Sequence, residues 1–148
     1  MPTIMDETKA QRIERLKREK NPWDCYEEIR RFAREGYEAI PENWLNSYFR
    51  WWGIYTQGDG GGALSGKSGE GGATRYFMVR VRVPNGQLTS HQLRALGSLT
   101  ARHARDVADV TVRQNFQLHW VTIESLPAVL EGLWAVGLTT KGACGDDT

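Results

Sequence analysis

Between Asp109 and Ile123 polar and apolar residues alternate with period two, the pattern of β-structure with one buried side. Val110, Val112, Phe116, Leu118 and Trp120 fall on one side, broken only by Gln114. Thr111, Arg113, Asn115, Gln117 and His119 fall on the other. The run is too long for one ordinary strand, so two strands bending near Asn115 are expected. A merely solvated face carries Lys, Glu, Thr and Ser. This one is a row of planar hydrogen-bonding groups with a fixed-charge Arg and no acid, which suits a polar or anionic partner.

The flanking segments fix where that run sits. Tyr76 to Val83 is a second alternating strand, with Phe77, Val79, Val81 and Val83 on one side and Tyr76, Met78, Arg80 and Arg82 on the other. Pro84-Asn85-Gly86 is a turn. Thr89 with Gln92 three residues on forms a capping box for a helix to about Ala104, burying Leu93, Leu96 and Leu99 or Thr100. Ser125 caps a last helix carrying Leu126, Val129, Leu130, Leu133 and Trp134, stopped by Gly137. Strand, helix, strand, strand, helix is five of the six elements of a ferredoxin-like α+β sandwich (βαββα), with helices on one sheet face and the other face open.

Upstream, residues 1–43 read as an N-terminal helical arm and 44–148 as the half-domain. Residues 6–19 suggest an exposed helix or a frayed arm, ended by Asn21-Pro22. Asp24 and Glu27 suggest a capping box for a helix at 25–35, with Tyr26, Ile29 and Phe32 or Ala33 inward and Gly36 as its stop. Residues 44–57 are rich in Trp and Tyr and irregular in period, fit either to pack on something large and flat or to close one end of the core. Residues 58–72 are expected to be a flexible Gly-rich loop. Inside it, Gly61 to Ser68 matches the phosphate-loop spacing G-x-x-x-x-G-K-S, but neither the strand before nor the helix after is present, so nucleotide binding is rejected.

Composition excludes several classes. A net charge of +1 makes any anion site local, and there is no apolar run long enough for a membrane span. Two cysteines, Cys25 and Cys144, cannot form a disulfide framework or a four-thiolate cluster, and a reduced cytoplasmic protein with no metal ligands of its own is expected.

Placed in one sheet, Arg80, Arg82, Arg113, Asn115, Gln117 and His119 emerge together on the open face. His119 could serve as a general acid, a metal ligand or an anion contact; the anion contact fits best, beside an ordinary exposed strand histidine. Such a face fits an anion, a single-stranded nucleic acid, or a non-catalytic docking surface for a second domain. The strand at 76–83 lacks the glycine and paired aromatics of RNA-reading strands, so nucleic acid is disfavoured.

These residues carry a resemblance. Tyr76-Phe-Met-Val-Arg-Val-Arg-Val-Pro-Asn-Gly86, Thr111-Val-Arg-Gln-Asn-Phe-Gln-Leu-His119, Arg50-Trp-Trp-Gly-Ile-Tyr-Thr-Gln57 and Ala143-Cys-Gly-Asp146 resemble the N-terminal part of the sirohaem-dependent nitrite and sulfite reductases, over about residues 44 to 148. The resemblance implies an oxidoreductase that reduces nitrite to ammonia or sulfite to sulfide by six electrons, on sirohaem bridged to a [4Fe–4S] cluster. It implies Arg80 as the catalytic arginine holding the anion. Arg113, Gln117, His119, Thr111, Asn115, Arg50, Gln57 and Arg82 would bind the cofactor, whose many carboxylates suit a cationic, amide-rich face. Tyr55 and Cys144 would border the site, either oxidatively linked or with Cys144 an inert thiol. The family's cluster cysteines, pocket lysines and second substrate arginine have no counterpart here. The chain is therefore expected to be a fragment, inactive alone, needing the remaining half of the enzyme and an electron donor such as ferredoxin or a reductase subunit.

Overall fold

A computed structural model describes residues 7–57 and 75–144. The expected Gly-rich loop and its phosphate-loop match, and Asp146, lie outside these residues. The elements are α1 (Lys9–Glu19), α2 (Tyr26–Glu35), α3 (Phe49–Trp51), β1 (Ile54–Thr56), β2 (Tyr76–Val81), α4 (Ser90–His103), β3 (Ala108–Val110), β4 (Phe116–Thr122) and α5 (Leu126–Trp134). One antiparallel sheet has the order β1-β2-β4-β3. β4 is inserted between β2 and β3, the split β-α-β arrangement expected of the ferredoxin-like order.

The sixth position of the sandwich is filled twice. β1 pairs Ile54 with Val79 at the outer edge of β2, and further along the same edge Arg82 bridges to Thr139. β1 escaped the sequence reading because its three residues follow a segment whose aromatics mask any period. That segment coils as a π turn at Trp44–Tyr48, runs into α3, and buries Trp44, Tyr48, Phe49, Trp51 and Trp52. It closes the core, the second of the two roles open to it.

The helix side of the sheet follows its periodicity. Phe77, Val79, Val81, Leu118, Val121 and Ile123 meet Leu96 and Leu99 of α4 and Leu126, Val129, Leu130 and Leu133 of α5 in one cluster. Each such side chain contributes about 1.5–3 kcal/mol on burial. Ile29, Phe32 and Ile40 belong to the same cluster, so packing is continuous across residue 43.

Several local expectations change. The hairpin forms, but Val110 and Val112 are solvent-exposed instead of core-facing, because β3 is a short edge strand and Val112 sits in the turn. Leu93 is exposed too, lying in the first turn of α4 on the side away from the sheet. The Thr89–Gln92 box is present, and so is an unforeseen one at Thr8–Gln11 on α1. Asp24 is not the cap of α2: it belongs to a short 3-10 turn at Pro22–Asp24 that Asn21 caps, and Cys25 precedes α2 without a side-chain cap bond. Ser125 likewise does not cap α5; its N–H donates to Thr122 Oγ1 at 3.3 Å, and Pro127 fills the first turn.

Candidate functional site

The largest departure lies in β4. Phe77 pairs with Val121 but Val79 pairs with Leu118, so β4 holds one extra residue opposite Met78. This bulge puts Trp120 at φ 56 and reverses the inward parity from even numbers (Leu118) to odd (Val121, Ile123). Trp120 is therefore not a core residue as its alternation suggested; its ring lies under the Arg105 guanidinium at 4.9 Å. The N–H freed by the bulge donates to Gln57 Oε1 at 2.9 Å. Gln57 is fully buried beside the end of β1 and so holds the bulge in place.

Before the bulge the polar side runs as expected. Arg80 and Gln117 are direct cross-strand partners. In the amide orientation that satisfies the hydrogen-bond network, Gln117 Oε1 accepts from Arg80 Nη2 at 3.0 Å and Nε at 3.2 Å. Tyr55 of β1 lies beside them, with Arg80 over its ring at 5.2 Å and Arg50 at 5.9 Å. Arg80 Nη1 also donates, at the long end of hydrogen-bond range, to Tyr55 OH and to the Ala143 carbonyl (3.5 and 3.4 Å). Arg113, in the exposed hairpin turn, donates from Nη1 to the Cys144 carbonyl at 3.2 Å. Burial pushes the Tyr55 phenol well above its ordinary pKa, and a hydrogen bond with Cys144 adds to this, so the hydroxyl stays neutral.

The remaining expected residues serve other contacts. Asn115 Oδ1 accepts from the Val83 N–H at 3.1 Å, tying the hairpin base to the end of β2. Thr111 Oγ1 accepts from the Asn115 N–H at 3.4 Å within the turn. Arg82 is exposed, its backbone bonded to Thr139. His119 Nε2 lies 2.8 Å from Asp109 Oδ2, so this stretch of the face does contain an acid, contrary to the sequence reading. Its Nδ1 is buried without a partner among the described residues. The structure thus sets Arg80 and Arg50 over Tyr55 with Gln117 on Arg80, ties Arg113 to the Cys144 carbonyl, and sets Gln57, Asn115 and Thr111 in supporting bonds.

The resemblance placed Cys144 at the border of the site, but sequence reasoning did not foresee how the segment 138–144 passes over the sheet and supplies two carbonyls to arginines of the site. Gly53 is its passing place: a Cβ there would lie 2.4 Å from the Thr140 carbonyl oxygen, and φ is +73°. A glycine after the aromatic run was the one available signal. The face is not wholly open either, since Met78, paired with Tyr55, is buried. None of Arg50, Arg80, Arg82 or Arg113 forms an ion pair among the described residues, whereas Arg15, Arg30 and Arg31 of the N-terminal helices do. Uncompensated guanidiniums gathered on one face suit an anion carrying several carboxylates or oxygens.

Residues 70–136 match the family described as the nitrite/sulfite reductase ferredoxin-like half domain. Over 137 residues the chain is 42% identical to a sulfite reductase [ferredoxin] of Mycobacterium tuberculosis, covering 90% of this chain and 25% of that protein. A ferredoxin–nitrite reductase of Leptolyngbya laminosa is 34% identical over 139 residues, covering 93% and 25% respectively. Among solved structures, the Mycobacterium tuberculosis NirA protein superposes with a TM-score of 0.77 at 40% identity, covering 88% of this chain and 25% of that one. The chain thus spans about a quarter of the length of these relatives.

Proposed function

We propose, from the premise that this chain carries the ferredoxin-like half domain of the nitrite/sulfite reductase family, that it forms one wall of a reductase's sirohaem and anion site. The carrying observation is the Arg80–Gln117 pair beside neutral Tyr55, with Arg50 over the same ring and Arg113 on the Cys144 carbonyl, cationic and without acidic partners among the described residues. Those residues fit a polycarboxylate macrocycle: Arg113, Arg50, Arg82 and Gln117 would hold its carboxylates, with His119 beside them. When bound, sirohaem supplies the iron at which the substrate is reduced. Arg80 anchors the anion, braced by Gln117 so that its charge is presented in one orientation. Tyr55, kept protonated by burial, is a neutral neighbour that adds no competing charge.

Cys25 and Cys144 are two thiols, so the four ligands of a [4Fe–4S] cluster belong to the remainder of such an enzyme. Relatives at 40–43% identity bear sulfite reductase names and those at 32–35% nitrite reductase names, which favours sulfite as the substrate. The same names support ferredoxin as electron donor.

In a complete reductase built with this chain, Arg113→Ala should lower the sirohaem content read from the Soret band. Arg80→Ala should keep the haem and lose turnover by at least about a hundredfold, as for loss of one charge-stabilising donor. Equal haem content in both variants, with activity lost only in Arg113→Ala, would reverse these roles. Full activity in both would sink the reading.

A further inference from the structure

The cation–π contacts at the end of the described chain converge on a single lysine. Lys141 Nζ lies 4.8 Å from the centroid of Trp52, 5.9 Å from Trp23 and 6.0 Å from Trp134. The three rings come from three places in the fold: the 3-10 turn before α2, the residue after α3, and the end of α5. Two are fixed by their own indole bonds. Trp52 Nε1 donates to the Pro22 carbonyl at 2.8 Å and Trp23 Nε1 to the Trp51 carbonyl at 3.3 Å. Tyr26 braces Trp134 edge-on, with ring centroids 4.8 Å apart.

Lys141 forms no ion pair among the described residues, so the indole faces are its counter-charge. A cation shared among rings that are themselves locked binds more firmly than one over a single mobile ring. The segment it anchors has few bonds to the sheet. Residues 138–144 make one bridge to it, at Arg82–Thr139, a bond from the Leu138 N–H back to the Leu133 carbonyl, and two local bonds, from the Ala143 N–H to the Thr140 carbonyl and from the Lys141 N–H to Thr139 Oγ1, with Leu138, Thr140 and Ala143 buried. Thr140 passes over Gly53, and beyond it the Ala143 and Cys144 carbonyls accept from Arg80 and Arg113.

We propose that Lys141, held in the Trp23–Trp52–Trp134 cage, is a positioning residue for the anion site. It clamps this strap so that the Ala143 and Cys144 carbonyls orient Arg80 and Arg113. The assignment of that site to an anion rests on the function proposed above; the mechanical claim about the strap does not.

The test is native-state alkylation of the full chain with iodoacetamide, resolved by peptide, with buried Cys25 as the internal control. Lys141→Met keeps the apolar stem and removes the charge. It should raise the Cys144 alkylation rate about tenfold, as expected for the loss of a half-buried cation–π clamp, while Cys25 stays protected. Lys141→Arg should restore the slow rate, because a guanidinium also sits over indole faces. Arg113→Ala releases the other end of the strap, so combining it with Lys141→Met should raise the rate by less than the product of the single effects. An unchanged Cys144 rate in Lys141→Met, Cys25 rising in step with Cys144, or a double variant equal to the product would each overturn the proposal. The readout needs neither sirohaem nor turnover, so it stands or falls separately from the haem-retention experiment.

Discussion

On β2 the side toward the helices carries Phe77, Val79 and Val81, all fully buried in one regular cluster. The opposite side carries Met78 and Arg80, whose neighbours arrive from β1, from the bulge on β4 and from the strap at 138–144. The first side is built by apolar burial, which is non-directional and tolerant of detail. The second is built by directed bonds, each needing one acceptor at one place. Identical backbone thus supports a face that gives the fold its stability and a face whose geometry depends on distant segments.

The sharpest way to break this contrast is truncation on each side. Phe77→Ala should cost about 3–5 kcal/mol of unfolding free energy, read by urea denaturation. Arg80→Ala, one strand position on from Val79 and on the opposite side of the pleat, should stay within about 1 kcal/mol of the parent. Comparable losses would mean that the arginine network is structural. A smaller effect is expected where the two sides touch. Gln57→Leu leaves the Trp120 N–H without its acceptor and should cost about 1–3 kcal/mol, with the bulge residues losing amide-exchange protection first.

The smallest effect is in pH. Burial pushes the Cys25 thiol up to about 11 from 9.0, with a hydrogen bond to Glu28 adding to it, and burial also raises Tyr26 and Tyr55. A raised folded-state value means that the folded chain keeps its proton after the unfolded chain has lost it. The stability contributed is complete below about pH 9 and falls as pH rises toward 11. Urea midpoints should therefore drop between pH 8 and 10.5, and Cys25→Ser should flatten the lower part of that slope. A midpoint that rises over the range would contradict the burial of these groups.

What could be read from the residues follows the same division. The split order of strands and helices, the Thr89–Gln92 box and the stop at Gly36 all lie in local spacing, and they are present. The Arg80–Gln117 pairing also follows from parity once both strands share a sheet. The bulge does not, because Trp120 is a favourable strand residue and its positive φ is imposed by pairing with β2 and Gln57. Nor do the exposed Val110 and Val112, since an edge strand keeps the pattern without a core to face. The strap's bonds to the arginines join residues 31 and 63 positions apart, and its lysine reaches Trp23 and Trp52 from still further along the chain, where no spacing rule reaches.

The extra residue in β4 has a consequence for how such a chain can be inherited. Deleting one residue at His119–Trp120 would restore regular pairing with Leu118 still opposite Val79 and Val121 still opposite Phe77, so the inward face would survive. What would be lost is the Trp120 N–H turned toward Gln57 Oε1. The bulge is therefore where this strand can change its count of residues without exchanging inside for outside, at the cost of one bond to a buried side chain far along the chain.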